Sequence, residues 1–147
     1  MHLSTRGRYG TRALLDLALH SGNGPLQLRE IARRQQVSLS YLEHLVTPLV
    51  TAGIITSTRG PRGGISLVKP PQEIRLSEVF SLLEGSTIPL ECVSHPDACP
   101  RSSFCVTRDI WAELKRAMDK VLESTTLQDL MEQQRGKEQP EKVMYYI

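Results

Sequence analysis

Hydrophobic side chains recur every three or four residues along the N-terminal part of the chain. This spacing predicts amphipathic helices over residues 3–20, 28–35 and 39–52. A run rich in Gly at 21–25 separates the first helix from the second. Only residues 36–38 lie between the second helix and the third, so these two helices are joined by a tight turn.

The third helix carries two local signals. Ser40 and Glu43 stand three residues apart, which is the spacing of a capping box at a helix start. Pro48 lies inside the helix and has no amide hydrogen to donate, so we expect irregularity near Thr47.

The pattern changes from helical to strand-like after residue 53. Residues 54–58 and 65–68 are short β-rich runs, and the sequence RGPRGG at 59–64 lies between them. This arrangement predicts a hairpin with a basic, glycine-rich tip. We call the hairpin of residues 54–68 the wing, because helix, helix, tight turn, helix and hairpin is the order of a winged helix-turn-helix.

The second half of the chain predicts helices on both sides of a polar segment. A short helix that Ser77 can cap leads into residues 86–105, which hold all three cysteines and which we call the cysteine segment. A long amphipathic helix follows at 106–124, and Thr126 caps a last short helix. Gly, Pro and charged residues predict a loose tail at 135–147.

These elements predict a mainly α fold with a small β-hairpin wing and a long C-terminal helix. We expect a winged helix-turn-helix domain at 1–71, the cysteine segment with its flanking helices at 72–134, and the tail. The N-terminus has no apolar signal sequence, and no apolar run approaches the ~18 residues of a membrane span. We therefore expect a cytoplasmic protein. The sequence shows no nucleophile–base pattern or phosphate-binding loop, so we do not expect an enzyme.

Charge is distributed unevenly between the two halves. Residues 1–71 hold nine Lys and Arg against three Asp and Glu, a net charge of +6. Residues 72–147 hold nine against thirteen, a net charge of −4. A basic domain is what binding to a nucleic acid requires, although a solvated basic surface is the simpler alternative.

The predicted DNA contacts follow from the geometry of the motif. A helix in the major groove presents its N-terminal residues to the base edges. Here those residues are Ser38, Ser40, Tyr41, Glu43 and His44. In the wing, Arg59, Gly60 and Arg62 form a thin tip from which an Arg can enter a narrow minor groove. Helix capping and an ordinary surface hairpin are the alternative explanations.

Cys92, Cys99 and Cys105 have the spacing C-x6-C-x5-C. An odd number of cysteines within one short segment is a poor basis for disulfides. Thiolates are the ligands that iron–sulfur clusters prefer. Zinc is less favoured because its structural sites usually contain a C-x2–4-C pair, and free thiols remain the simplest alternative.

Three strings resemble one known family: LSTRGRY at 3–9, SLSYLE at 38–43 and RGPRGG at 59–64. The chain resembles the bacterial winged helix-turn-helix regulators grouped with IscR, the iron–sulfur cluster regulator, which also include NsrR, RirA and CymR. The resemblance implies a homodimer, built largely by the long C-terminal helix, on a palindromic double-stranded DNA operator. It also implies that Glu43 selects between operator classes and that Arg59 enters the minor groove.

The resemblance is incomplete at the fourth cluster ligand. The IscR pattern has a His three residues after the third Cys, and this chain has Arg108 there, which cannot ligate iron because it stays protonated. We favour Asp109, one helical turn from the third Cys, over His95. Asp97 and a residue from the partner's first helix are further candidates, and an exposed loop residue is the simpler explanation for His95.

Two functions follow from the sequence. The first is a regulator whose operator binding is controlled by an iron–sulfur cluster, with 2Fe–2S favoured over 4Fe–4S, acting on genes of cluster biogenesis or of iron and redox stress. The triad resembles the cluster-binding members and not CymR, which lacks it. The alternative is a metal-free thiol-redox regulator, or a nitric-oxide-responsive regulator, with the same fold.

Overall fold

The structure is a computed structural model that describes residues 2–22, 24–85 and 90–139. The described residues form seven α-helices and one two-stranded antiparallel hairpin, which confirms the mainly α fold class. In chain order the elements are α1 (Thr5–Leu19), α2 (Leu28–Gln35), α3 (Leu39–Thr51), β1 (Ile55–Thr58), β2 (Gly64–Leu67), α4 (Leu76–Glu84), α5 (Glu91–Ser94), α6 (Val106–Ser124) and α7 (Leu127–Glu138). None of these helices is long and apolar enough to cross a membrane.

A single hydrophobic core joins the two halves of the chain. The helices of the winged helix-turn-helix pack with α4 and α7, so the predicted boundary at residue 71 does not divide the core. By contrast, α6 contributes no buried side chain. The largest fully buried side chains are Leu17, Ile31, Leu42, Leu45, Leu49, Ile54, Ile55, Ile74, Val79 and Leu127.

The wing is joined to the helical domain by backbone pairing. Within the hairpin, Ile55 pairs with Leu67 and Thr58 with Gly64. Leu26 adds an isolated antiparallel bridge to Ile65, with reciprocal N–H to C=O distances of 2.9 and 2.8 Å. A side chain at Gly64 would collide with the backbone of Leu26, so only glycine allows this approach. The base of the wing therefore has a fixed position beside α2.

Two glycines bring α1 into close contact with α4. A Cβ atom at Gly7 would collide with Glu84, and one at Gly10 would collide with Leu83. Glu84 uses this proximity to bind the first turn of α1. Its Oε1 atom accepts hydrogen bonds from the Ser4 N–H at 3.1 Å, the Ser4 hydroxyl at 2.6 Å and the Gly7 N–H at 3.1 Å. A carboxylate here also opposes the positive end of the helix dipole.

A buried carboxylate joins α1 to α2. Arg34 donates from Nε and Nη2 to both oxygens of Asp16 at 2.6 to 3.1 Å, and Gln35 donates to it at 2.8 Å. Gln35 in turn accepts from Arg12 at 3.0 Å. Burial alone would raise the pKa of Asp16, but the hydrogen bonds and charge of Arg34 outweigh it, and the pKa lies below its usual value of 3.8.

The predicted capping box in α3 is wrong. The N-cap is Ser38, whose hydroxyl oxygen accepts from the Tyr41 N–H at 3.1 Å, and Ser40 lies inside the first turn. The helix runs without a break past Pro48, so the expected irregularity near Thr47 does not interrupt it. The Thr47 hydroxyl donates to the carbonyl of Glu43 at 2.7 Å, one turn earlier.

Two predictions for the second half also need correction. Ser77 does not cap α4, which begins one residue earlier with Arg75 at the N-cap position and no side-chain cap. The last helix does begin with a capping box formed by Thr126 and Asp129, but it extends to Glu138. Its final turn covers the first residues of the predicted tail, and residues 140–147 lie outside the described residues.

We expect Asp16→Asn to lower the free energy of unfolding by about 2 to 3 kcal/mol, measured by urea denaturation at pH 7. It removes the buried counter-charge of Arg34, but Arg34 is partly exposed and keeps Glu30 at 3.8 Å, so the loss is below that of a fully buried pair. Because the folded-state pKa is lowered, the difference should shrink as the pH falls below about 4. Glu78→Gln, in the partly exposed pair with Lys69, is the control and should cost little; equal losses would contradict this account.

Candidate DNA interface and cysteine site

The first two turns of α3 present polar side chains to solvent. Ser38, Ser40, Glu43 and His44 are all exposed, whereas the opposite face of the helix is buried in the core. The Ser38 hydroxyl is used as the cap acceptor, but its own hydrogen remains available to a phosphate. Four of the five residues predicted on this helix therefore share an accessible surface.

Tyr41, the fifth predicted residue, faces inward. Its ring packs edge to face on Tyr9 of α1, with ring centroids 6.2 Å apart and planes at 83°. Its hydroxyl oxygen is buried and has no hydrogen-bond partner among the described residues. This geometry fixes the N-terminal end of α3 against α1 and withdraws the Tyr41 hydroxyl from any surface contact.

Two arginines that the sequence reasoning missed lie beside this tyrosine pair. Arg8 and Arg12 are one helical turn apart on α1, and their guanidinium carbons are 5.7 and 5.2 Å from the centroid of the Tyr9 ring. Both arginines are exposed. Their i, i+4 spacing in a basic first helix was the available signal. They place positive charge on α1 beside the exposed end of α3, which itself carries no Lys or Arg.

The tip of the wing is exposed and closely turned. Arg59, Gly60 and Arg62 are all exposed, and the Gly63 N–H donates to the Gly60 carbonyl at 3.0 Å. Gly60 has a φ of 105°, which an L side chain rarely adopts. The two arginines therefore project from a narrow turn, as the sequence predicted.

The three cysteines lie outside the core in the described part of the cysteine segment. Cys92 is on α5, Cys99 follows a short 3-10 helix at Pro96–Ala98, and Cys105 is the N-cap residue of α6. All three are free thiols and partly exposed. Thiols in such positions are accessible to metals and oxidants.

The environment of Cys105 favours the thiolate. The Thr107 hydroxyl lies 3.2 Å from its sulfur. This contact, the nearby main-chain N–H groups of Arg108 and Thr107, and the charge of Arg101 together lower the pKa of Cys105 below its usual value of 9.0. A lowered pKa increases the fraction of thiolate, which is the form that ligates metals and acts as a nucleophile.

The donor chemistry fits an iron–sulfur cluster, but the donor atoms do not converge on one point. Three soft, accessible thiols occur in one segment. The Ser102 hydroxyl oxygen, between Cys99 and Cys105, is buried without a hydrogen-bond partner among the described residues. Within those residues, however, no three His, Cys, Asp or Glu side chains are close enough to share a metal ion. Binding would require the segment to close further around the cluster.

The candidates for a fourth ligand are all exposed. Asp109 lies in the first turn of α6, and His95 and Asp97 lie between α5 and Cys99. Arg108 has a different role in the structure, because its Nε–H donates to the main-chain carbonyl of Cys92 at 2.8 Å.

One face of α6 is apolar and largely uncovered. Ile110 and Val121 are 58% and 61% exposed, and Trp111 is 38% exposed. Leu114, Met118 and Leu122 are only partly covered. Apolar side chains at helical spacing along a helix that buries none of them indicate an incomplete packing surface.

The fold agrees with comparisons with known proteins. A family model described as Rrf2, iron-dependent transcriptional regulator, matches residues 3–133. Protein rrf2 of Nitratidesulfovibrio vulgaris strain Hildenborough is 45% identical over 131 residues, which are 89% of this chain and 87% of that protein.

Two solved structures share the fold. IscR of T. potens matches with a TM-score of 0.80 and 34% identity over 99% of this chain and 97% of that one. CymR (YrzC), the global cysteine regulator of B. subtilis, matches with a TM-score of 0.76 and 36% identity over 90% of this chain and 97% of that one. These matches confirm the winged helix-turn-helix and the resemblance to IscR-like regulators, and they confirm that the relatives are regulators rather than enzymes. The chain belongs to the Rrf2 family of DNA-binding transcription regulators.

Proposed function

We propose that this regulator binds a palindromic operator under the control of an iron–sulfur cluster held by Cys92, Cys99 and Cys105. The observation that carries the proposal is the presence of three free, partly exposed thiols in one segment outside the core. The description of the family as iron-dependent supports it. The regulated genes would serve cluster biogenesis or iron and redox stress, and the protein would act in the cytoplasm.

DNA binding is assigned to α3 and the wing. Ser38, Ser40, Glu43 and His44 would contact bases and phosphates from the major groove, because they are exposed in the first two turns of α3. The wing tip, with Arg59, Gly60 and Arg62, would reach the minor groove, because a glycine-rich turn keeps its backbone thin. Arg8 and Arg12 would add phosphate contacts beside α3. Tyr41 would act by positioning the helix.

The uncovered face of α6 supports the proposal of a homodimer. Two copies that pair these faces would remove Ile110, Trp111 and Val121 from water. A symmetric dimer presents two recognition helices, which matches the symmetry of a palindromic site.

The cysteine site would hold a cluster through three thiolates and one further ligand. When bound, the cluster would cross-link the segment through bonds that oxidants or loss of iron can break. We retain Asp109 as the favoured fourth ligand, with His95, Asp97 and a residue of a partner subunit as alternatives, and 2Fe–2S as the favoured type. An oxygen or imidazole ligand in place of a fourth thiolate would leave the cluster more labile, which suits a sensor.

Glu84 provides a physical connection from this site to the DNA-binding domain. It is the last residue of α4, two residues before the cysteine segment, and its carboxylate holds the first turn of α1. The same α1 packs Tyr9 against Tyr41 of the recognition helix. A change in the cysteine segment that moves the end of α4 would therefore shift the helix that supports α3.

Redox control without a metal is the second candidate. Cys105 has a lowered pKa, and the three thiols are free, so oxidation could pair two of them. The similarity to CymR, the global cysteine regulator, also supports this candidate. A nitric-oxide-responsive regulator is a variant of the cluster function, in which the cluster is the target.

Anaerobically purified protein should be coloured and should contain iron and sulfide in fixed proportion to the dimer. Cys92→Ser, Cys99→Ser and Cys105→Ser should each lose the visible absorbance, because each removes one thiolate ligand. Protein that stays colourless after anaerobic reconstitution with ferrous iron and sulfide would contradict the cluster. A loss of two hydrogens on peroxide treatment, in protein without iron, would support the redox alternative.

Tyr41→Phe should leave operator affinity within about twofold of wild type and should not lower stability, because a buried hydroxyl without a partner costs about 1 to 3 kcal/mol. Fluorescence anisotropy with a duplex selected from a random pool and urea denaturation measure the two effects. Tyr41→Ala is the control, since it removes the packing on Tyr9 and should weaken binding. A tenfold loss of affinity in the Phe variant would show that the hydroxyl contacts DNA.

Glu84→Gln should loosen the first turn of α1, because a neutral amide is a weaker acceptor for three donors than a carboxylate. We expect a loss of about 1 to 2 kcal/mol in protection of the Gly7 and Arg8 amides, measured by hydrogen exchange in the full-length protein. Glu78→Gln, on the same helix and paired with Lys69 near the surface, is the matched control. Equal protection in both variants would refute the role of Glu84.

A further inference from the structure

Arg108 makes the hydrogen bond that joins the two ends of the cysteine segment. It lies in the first turn of α6, and its side chain reaches back across sixteen residues to the Cys92 carbonyl, with Nε and O 2.8 Å apart. The side chain is partly buried, which favours a persistent bond over an exposed one. A charged donor to a carbonyl is also stronger than a neutral donor.

The same residue is fixed to the other end of the segment by the helix. Arg108 follows Cys105, the N-cap residue of α6, by three residues and lies in the first turn of that helix. Arg108 therefore bonds to Cys92 through its side chain and is joined to Cys105 by the first turn of α6. Its position in α6 is set by the helix, so the side-chain bond fixes α5 relative to Cys105.

The other hydrogen bonds of the described part of the segment are local. His95 N–H donates to Glu91, Ala98 to His95 and Ser102 to Cys99, each over three or four residues. Such bonds fold each turn but do not determine how α5 lies relative to α6. Among the described residues, the bond from Arg108 is the one that closes the loop.

We propose that Arg108 is a positioning residue that holds the Cys92 end of the cysteine segment against the Cys105 end. This sets the spacing at which the two thiols meet a shared ligand, and that part of the proposal rests on the proposed cluster function. Arg108 cannot ligate iron itself. The Arg108 side chain therefore acts on the site by binding the Cys92 carbonyl. The fourth ligand must come from another residue.

Two variants separate the hydrogen bond from bulk and charge. Arg108→Gln keeps an N–H donor at the same number of bonds from the backbone as Nε but removes the charge. Arg108→Met extends as far from the backbone as Nε does and has no donor. Arg116→Met, an exposed position two turns further along α6, is the matched control for losing an arginine from this helix.

The first measurement is hydrogen exchange by mass spectrometry on metal-free, full-length protein. Peptides covering residues 90–99 should exchange about tenfold faster in Arg108→Met than in wild type, because a hydrogen bond from a charged group is lost. Arg108→Gln should recover most of the protection, and Arg116→Met should match wild type. Unchanged exchange in Arg108→Met would overturn the proposal, whether or not the protein binds iron.

The second measurement is the rate at which anaerobic, iron-loaded protein loses visible absorbance to a chelator. Arg108→Met should lose the absorbance several-fold faster than wild type. The variants should rank in the same order by this rate as by their hydrogen-exchange rates. Faster exchange with an unchanged rate of iron loss would refute the role in positioning the ligands. If wild-type protein never holds iron and Arg108→Met still exchanges faster than wild type, Arg108 is supported as the residue that closes the segment. The proposed cluster function would then be rejected.

Discussion

The first turn of α1 is held by a carboxylate from another helix, and this contact determines much of the remaining structure. Glu84 accepts three hydrogen bonds from Ser4 and Gly7. The approach is available only because Gly7 and Gly10 leave room for Glu84 and Leu83. In turn, α1 packs on α2, α3, α4, α7 and the wing strand β2. The elements that we propose to contact DNA therefore take their orientation from packing on this one helix.

This arrangement connects the proposed DNA-binding surface and the proposed cluster site through α1 and α4. Tyr9 of α1 supports the recognition helix through Tyr41, and Asp16 of α1 holds α2 through Arg34. The N-terminal turn of α1 meets Glu84 at the end of α4, two residues before the cysteine segment. The proposed control of DNA binding from the cysteine segment therefore needs no separate linker.

Local pattern predicted the elements well and the long-range contacts poorly. The bounds of α2 and α6 follow directly from apolar periodicity, and Thr126 has a capping residue at the right distance. Periodicity could not choose between Ser38 and Ser40 as the cap, because both precede the same apolar face. Periodicity also could not show that α7 continues to Glu138. The last turn of α7 is polar on all sides, and it is helical because it extends the turns before it.

Sequence pattern predicted which candidate residues are exposed, but not how the side chains of the DNA interface and of the cysteine segment contact one another. Exposure of Ser40, Glu43 and the wing arginines follows from their place on an amphipathic pattern. The inward orientation of Tyr41 depends on Tyr9, thirty-two positions away, and the bond from Arg108 to Cys92 crosses sixteen. Contacts of this range depend on how helices pack and leave no mark in local spacing. The distances between the cysteines are set in the same way.

Control of operator affinity by the cysteine segment is tested most directly on one protein sample in two states. Anaerobic, iron-loaded protein is titrated into a labelled operator duplex, and the titration is repeated after a chelator has removed the iron and been dialysed away. Coupling between two sites typically changes affinity by about 5- to 150-fold, and we expect a change within that range that disappears in Cys92→Ser. Equal affinities in the two states, over a range of salt concentrations, would contradict the account.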